Sequence, residues 1–232
     1  MAFPLTHLCV AQKILQKSIG TDSFFSWRNQ LCNAQFLLGS IAPDAVHYRA
    51  EFTDKKSIGA TKKITHLCPV SDERWGHVTD NDGWIECAKK FLRTPGIPSP
   101  SFVAGYVTHC LTDLWNNKTI WDEFRTNHPE EAAKGYASEY YNELHNIDAQ
   151  LWFEYPDVAE IMQTLAKSTP EGISGLVSAD EVAAIRDNLL HEHFKNAAYE
   201  KGREYKFVTY EDTLKFIDDA AEFTFSILSG RN

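Results

Sequence analysis

The chain of 232 residues lacks the short signatures that announce the commonest hydrolytic and nucleotide-binding chemistries. It has no HExxH, no GxSxG and no Walker-type phosphate loop, so nothing marks a zinc protease helix, a serine nucleophile elbow or a P-loop. His191-Glu192-His193 does not have the HExxH spacing. There is no His-Asp dipeptide, which argues against the helical phosphohydrolases built on that pair. There is no CxxC either. The five cysteines Cys9, Cys32, Cys68, Cys87 and Cys110 are odd in number, which points to reduced thiols in a cytoplasm.

Positive charge is also short. Lys and Arg total 23 against 32 Asp and Glu, a formal charge of −9. That balance opposes binding to a nucleic-acid backbone and docking on anionic lipid. A local basic patch, such as Lys55-Lys56 with Lys62-Lys63, can still act. No apolar run approaches the roughly 18 residues of a membrane span. The start MAFPLTHLCVAQKIL lacks a basic opening, a long apolar stretch and a small-residue cleavage site, so a cytoplasmic location is expected. No segment alternates with period two, and no internal repeat is visible.

Helical spacing is what remains. Leu8, Ala11, Ile14 and Leu15 form one stripe. Trp27 to Leu38 forms a second helix, ended by Gly39. Asp82 to Leu92, Phe102 to Trp115 and Pro129 to about Trp152 read as further helices. Pro156 opens another, Ser178 or Asp180 caps the next, and Thr209 with Asp212 resembles a capping box for the last. With 14 Phe, 9 Tyr and 6 Trp to fill a core, the expectation is an all-α, single-domain, multi-helix bundle over residues 1–232. Residues 151–232 are expected as a supporting helical extension.

The chemistry sits where polar groups interrupt apolar runs. In GYVTHCLTDLW, His109 and Asp113 lie four apart on one face of a helix that reads as buried all round. A buried charge needs a partner; a divalent metal is one, and a His–Asp hydrogen bond within a packed bundle is the other. Four more places resemble this one: His7 before the first stripe, Asp44 after FLLGSIAP, His66 in KKITHLCP, and His145 with Asp148 in NELHNIDAQLW. Singly, each has a plain reading as a cap, a packed core group or a solvated pair. Together they can build a multinuclear site from separate helices. Zinc suits such ligands, and Mn or Fe fits the same groups.

The succession THL at His7, FLLGSIAPD at Asp44, ITHL at His66 and GYVTHCLTD at His109 and Asp113 resembles the zinc-dependent phospholipase C family. That family is related to the zinc-dependent single-strand nucleases. The resemblance covers about residues 1–150 and implies a helical fold around a zinc cluster. It implies that Asp44, His66, His109 and Asp113 hold one ion, and that Asp113 bridges to a second ion held by His7. It also implies that Asp44 orients or deprotonates the attacking water. The chain departs from the pattern at a third site, where Asn116 or Asn117 and Ala149 replace a histidine and a glutamate. His145 and Asp148 remain as tentative additional ligands, and one or two zinc ions are expected. The function this implies is hydrolysis of a small phosphoester or phospholipid-derived substrate. The alternatives are a non-catalytic helical module with a structural metal, and a single-strand nuclease.

Overall fold

A computed structural model describes residues 3–18, 32–49, 62–69, 75–94 and 99–230. Its centre is α4, Pro100–Asn116. Ser99 caps this helix by accepting from the Phe102 amide, and Pro100 occupies the first turn, where its missing N–H costs nothing. Every residue from Ser101 to Leu114 is buried, as the unbroken apolar pattern predicts. Around it lie α1 (Pro4–Ser18), α2 (Asn33–Gly39), α3 (Asn81–Leu92) and α10 (Tyr210–Leu228).

The α2–α4 contact is closer than side chains normally allow. A Cβ on Gly39 would overlap the Phe102 carbonyl, and one on Gly105 would overlap the Phe36 carbonyl. Two glycines thus let the helix backbones touch. The chain then leaves α2 through Ser40 and turns into a 3-10 segment, Ala42–Tyr48, with Pro43 in its first turn and Asp44 buried within it. Because α2 rides so close to α4, the Ser40 carbonyl reaches the ring of His109.

The expected helix over 129–152 is three pieces instead. α6 (Pro129–Ala133), which follows α5 (Asp122–Asn127), gives way to a 3-10 turn at Gly135–Ala137, and α7 runs Glu139–Glu154. Gly135 adopts φ 55°, a left-handed stop, and Ser138 caps α7 through the Tyr141 amide. Periodicity alone did not register that Gly-Ser punctuation. The helix expected from Trp27 is seen from Asn33; residues 19–31 lie outside the described residues. Directly after α4 comes a π-helical turn, Asn117–Trp121, which the sequence reading did not anticipate. Its wider winding lets Trp121 Nε1 donate to Gly76 O at 2.7 Å and Asn117 Nδ2 to Val78 O at 2.7 Å.

The C-terminal third belongs to the same core, which runs from Leu5 to Leu228. α8 (Val158–Leu165) and α9 (Ala179–His191) start where Pro156 and Ser178 suggested. α9 packs on the 3-10 segment that carries Asp44. Glu181 completes the Ser178 capping box and also pairs with Arg49, whose Nε lies 2.7 Å from Glu181 Oε1. Thr209 and Asp212 form the box that opens α10. Among the described residues there is no strand, only a single bridge between Ile173 and Val177. None of their helices is long and apolar enough to cross a membrane.

Gly105→Ala should therefore destabilise the protein by about 1–3 kcal/mol, the range for overpacking a rigid contact. A urea denaturation midpoint equal to that of the wild type would show that the α2–α4 approach is not constrained by glycine.

Candidate metal centre

Four elements bring five polar side chains to one buried point. α1 carries His7, the 3-10 segment carries Asp44, a helical turn over 62–65 leads into His66, and α4 carries His109 and Asp113. All five are under 10% exposed. His66 Nε2 lies 3.4 Å from Asp44 Oδ1, 3.4 Å from Asp113 Oδ2 and 3.1 Å from His109 Nε2. His109 Nε2 lies 3.9 Å from Asp113 Oδ2. Donors about 2.0–2.2 Å from a tetrahedral ion stand about 3.3–3.6 Å from one another. The observed separations bracket that range.

The hydrogen bonds behind the rings say what faces the centre. His109 Nδ1 is 2.8 Å from Ser40 O, and His66 Nδ1 is 2.9 Å from Lys62 O. A carbonyl oxygen only accepts, so both Nδ1 atoms carry hydrogen and donate. In the neutral rings both Nε2 atoms then present bare lone pairs, to each other and to two carboxylate oxygens. Such an arrangement suits a cation at its middle, and the carbonyls would then be the outer partners that orient its imidazole ligands. A proton is a poor substitute, because burial pushes the His66 and His109 pKa values below the usual 6.5.

The carboxylates are held ionised. Burial works against the charge on Asp44, but Lys62, His47, His66 and His109 outweigh it and bring its pKa well below the usual range. Lys62 Nζ sits 2.7 Å from Asp44 Oδ1 and 5.4 Å from the Trp75 ring centroid. This lysine is 1% exposed, so it is no part of the basic surface patch expected at Lys55-Lys56 with Lys62-Lys63; Lys55 and Lys56 lie outside the described residues. Burial likewise opposes ionisation of Asp113, and contact with His7, with the nearby His109 and His66, overrides it.

His7 stacks on His109 at 3.7 Å between centroids and 10° between planes. Its Nε2 is 3.5 Å from Asp113 Oδ1, and neither ring nitrogen has a hydrogen-bond partner among the described residues. The donor atoms therefore form two overlapping groups able to hold an ion: Asp44 with His66 and His109, and His7 with His109 and Asp113. Asp44 lines a cavity of about 210 Å³ and Asp113 one of about 250 Å³; Tyr136 and Tyr141 border both. A larger cleft of about 830 Å³, beside Trp115 and α10, touches none of these donors. Size alone does not mark the site.

The other candidates have other partners. Asp148 Oδ2 is 3.2 Å from His193 Nε2, while His145 packs edge-on against Phe3 at 4.6 Å. These residues form no third group able to hold an ion among the described residues. Glu143, 1% exposed, accepts the amides of Lys206, Phe207 and Val208 at 2.5, 2.9 and 3.1 Å, which makes it a clamp on that loop. Asn117 is committed to Val78 O. His47 approaches Asp44 Oδ1 at 3.5 Å from the exposed side. Lys62 and His193 are the residues that the sequence reading missed. Lys62, four before His66 in a predicted loop, carried no apolar flank to flag it.

Comparisons of the chain with protein-family models, with curated proteins and with solved structures found no match.

The direction of these shifts fixes a pH dependence for the metal-free protein. Folded His66, His109, Asp44 and Asp113 all bind protons less readily than the unfolded chain does. Stability from such groups is present above the unfolded pKa and is lost as pH falls. The loss begins as pH drops through the usual histidine value of 6.5 and continues below the usual aspartate value of 3.8. Urea midpoints in the presence of chelator should be nearly level from pH 8 to about pH 7 and then fall steadily to pH 5. A midpoint that holds or rises on acidification contradicts this assignment.

Proposed function

We propose that the protein is a metal-dependent hydrolase of a small phosphoester, with zinc as the metal and chemistry similar to that of the zinc-dependent phospholipases C. The observation that carries the reading is that His66 Nε2 lies 3.1–3.4 Å from Asp44 Oδ1, His109 Nε2 and Asp113 Oδ2, separations near those of a tetrahedral ion's ligands. Imidazole and carboxylate donors without thiolate suit zinc, and Mn or Fe after it. Asp113, with one oxygen toward His66 and the other toward His7, suits a bridge between two ions. Bound there, a divalent ion supplies Lewis acidity, ionising water near neutral pH and drawing charge from phosphoryl oxygens.

The chain's own residues supply the rest. Ser40 and Lys62 carbonyls hold the two imidazoles in register. Lys62 keeps Asp44 anionic where that residue lines the cavity, so Asp44 is placed to orient the attacking water. Tyr136 and Tyr141 border both approaches. The formal charge of −9 disfavours the single-strand nuclease reading. A purely structural metal is the second reading, and the deep burial of every donor favours it. Against it stand the two cavities that reach Asp44 and Asp113.

Protein prepared with zinc and dialysed should hold one or two tightly bound ions per chain by elemental analysis, and not three. His109→Ala should lose zinc together with hydrolysis of bis-nitrophenyl phosphate. Asp44→Asn should retain zinc but slow hydrolysis by about 10²–10⁴-fold, the worth of a lost general base. A wild type that binds no zinc at micromolar concentration removes the proposal. Zinc binding without hydrolysis of any phosphoester would leave the structural reading in its place.

A further inference from the structure

The cavity beside Asp44 is lined on its apolar side by Phe3, Ile185 and Leu189, and among its polar residues are Asn188 and His193. His193 follows the end of α9, and its ring is held from behind. Its Nε2 is 3.2 Å from Oδ2 of Asp148, a carboxylate on α7 that is 4% exposed. The ring also meets Phe194 edge-on at 4.5 Å, and Phe194 stacks on Trp152 at 4.4 Å. Burying a carboxylate is costly, and among the described residues His193 is the only side chain hydrogen-bonded to this one. An acid buried this way fixes both the orientation and the tautomer of its histidine.

That tautomer determines what the ring offers. A carboxylate accepts, so Nε2 carries the hydrogen and Nδ1 of the neutral ring is left as an acceptor. Nδ1 has no hydrogen-bond partner among the described residues. His47, Tyr48, Tyr136 and Tyr141 also line the cavity, and an acceptor at His193 Nδ1 favours a ligand that brings a donor. Hydroxyl and ammonium groups both qualify. An ammonium group would need a carboxylate of its own, and the cavity is lined by only one, Asp44, which already faces Lys62. At about 210 Å³ the space also falls below the roughly 300–1,000 Å³ of cavities that enclose drug-sized ligands.

We propose that this cavity is the subsite for the alcohol portion of the phosphoester, and that His193, positioned by Asp148, selects a small alcohol bearing a hydroxyl group. The proposal rests on the phosphoester reading above. In it His193 touches the substrate, and Asp148 acts only through His193.

Calorimetric titration of the zinc-loaded full chain with ethyl, 2-hydroxyethyl and 2-aminoethyl phosphate, and with inorganic phosphate, tests it without depending on turnover. The wild type should bind 2-hydroxyethyl phosphate about tenfold more tightly than ethyl phosphate, the measure of one net hydrogen bond. His193→Leu should abolish that preference while keeping the ethyl phosphate affinity. His193→Gln, which retains an acceptor and an N–H for Asp148, should restore part of it. If His193→Leu does not fold, the paired variant His193→Leu with Asp148→Leu removes the buried charge as well and takes its place. Equal wild-type affinities for the ethyl and hydroxyethyl esters, a preference that survives His193→Leu, or tightest binding of the aminoethyl ester would each overturn the subsite while leaving the phosphoester reading intact. Failure to bind any of the four, inorganic phosphate included, would refute the phosphoester reading itself and the subsite with it.

Discussion

Two main-chain carbonyls, those of Ser40 and Lys62, take the Nδ1 hydrogens of His109 and His66 and so turn both bare nitrogens inward. From that follows the character of the whole interior. Two nitrogens 3.1 Å apart, flanked by carboxylate oxygens, repel one another where burial leaves little screening. A cation held between them would relieve this repulsion, and without one the fold must oppose it. It does so with rigid elements: a helix buried on every side, and a second helix pressed against it through Gly39 and Gly105. The third element is a 3-10 turn clamped from outside by the Arg49–Glu181 pair. The α2–α4 approach and the tautomer of His109 are thus one constraint, since a wider approach would carry Ser40 O away from the ring.

The cluster also shows how charge is balanced. Asp44 and Asp113 bring two negative charges into the core, and Lys62 returns one positive charge at 2.7 Å from Asp44. A single divalent ion would leave the centre net positive. Trp75 packs against both Lys62 and His66. The segment that carries it is tied through Gly76 and Val78 to the π-helical turn that follows Asp113. A π turn next to a functional helix is a recurrent device; here it anchors a wall of the cavity beside Asp113.

Much of this was legible in the residues. The all-α bundle followed from helical spacing, and the caps at Ser178 and Thr209 announced their helices. His7, Asp44, His66, His109 and Asp113 stood out because each interrupts an apolar run, and they do converge. What spacing could not convey was the third dimension. Glu143 and Asp148 look alike on one helix, yet one is consumed by three backbone amides and the other by a histidine 45 residues away. His193 lies in a polar stretch and is exposed, as that stretch suggests; only the fold brings Asp148 behind it. Gly135 and Ser138 carried a break that a periodic pattern overrides on paper. Lys62 read as surface charge because a buried lysine is recognisable only by its partner.

The central claim is that a metal ion belongs between Asp44, His66, His109 and Asp113. Anomalous diffraction at the zinc absorption edge, from crystals grown with one equivalent of zinc, tests it most directly. The account predicts one strong peak enclosed by these four side chains, about 2.0–2.2 Å from each donor atom, with no sulfur ligand. No peak there, or a peak at Cys68 or among the surface histidines alone, would contradict it.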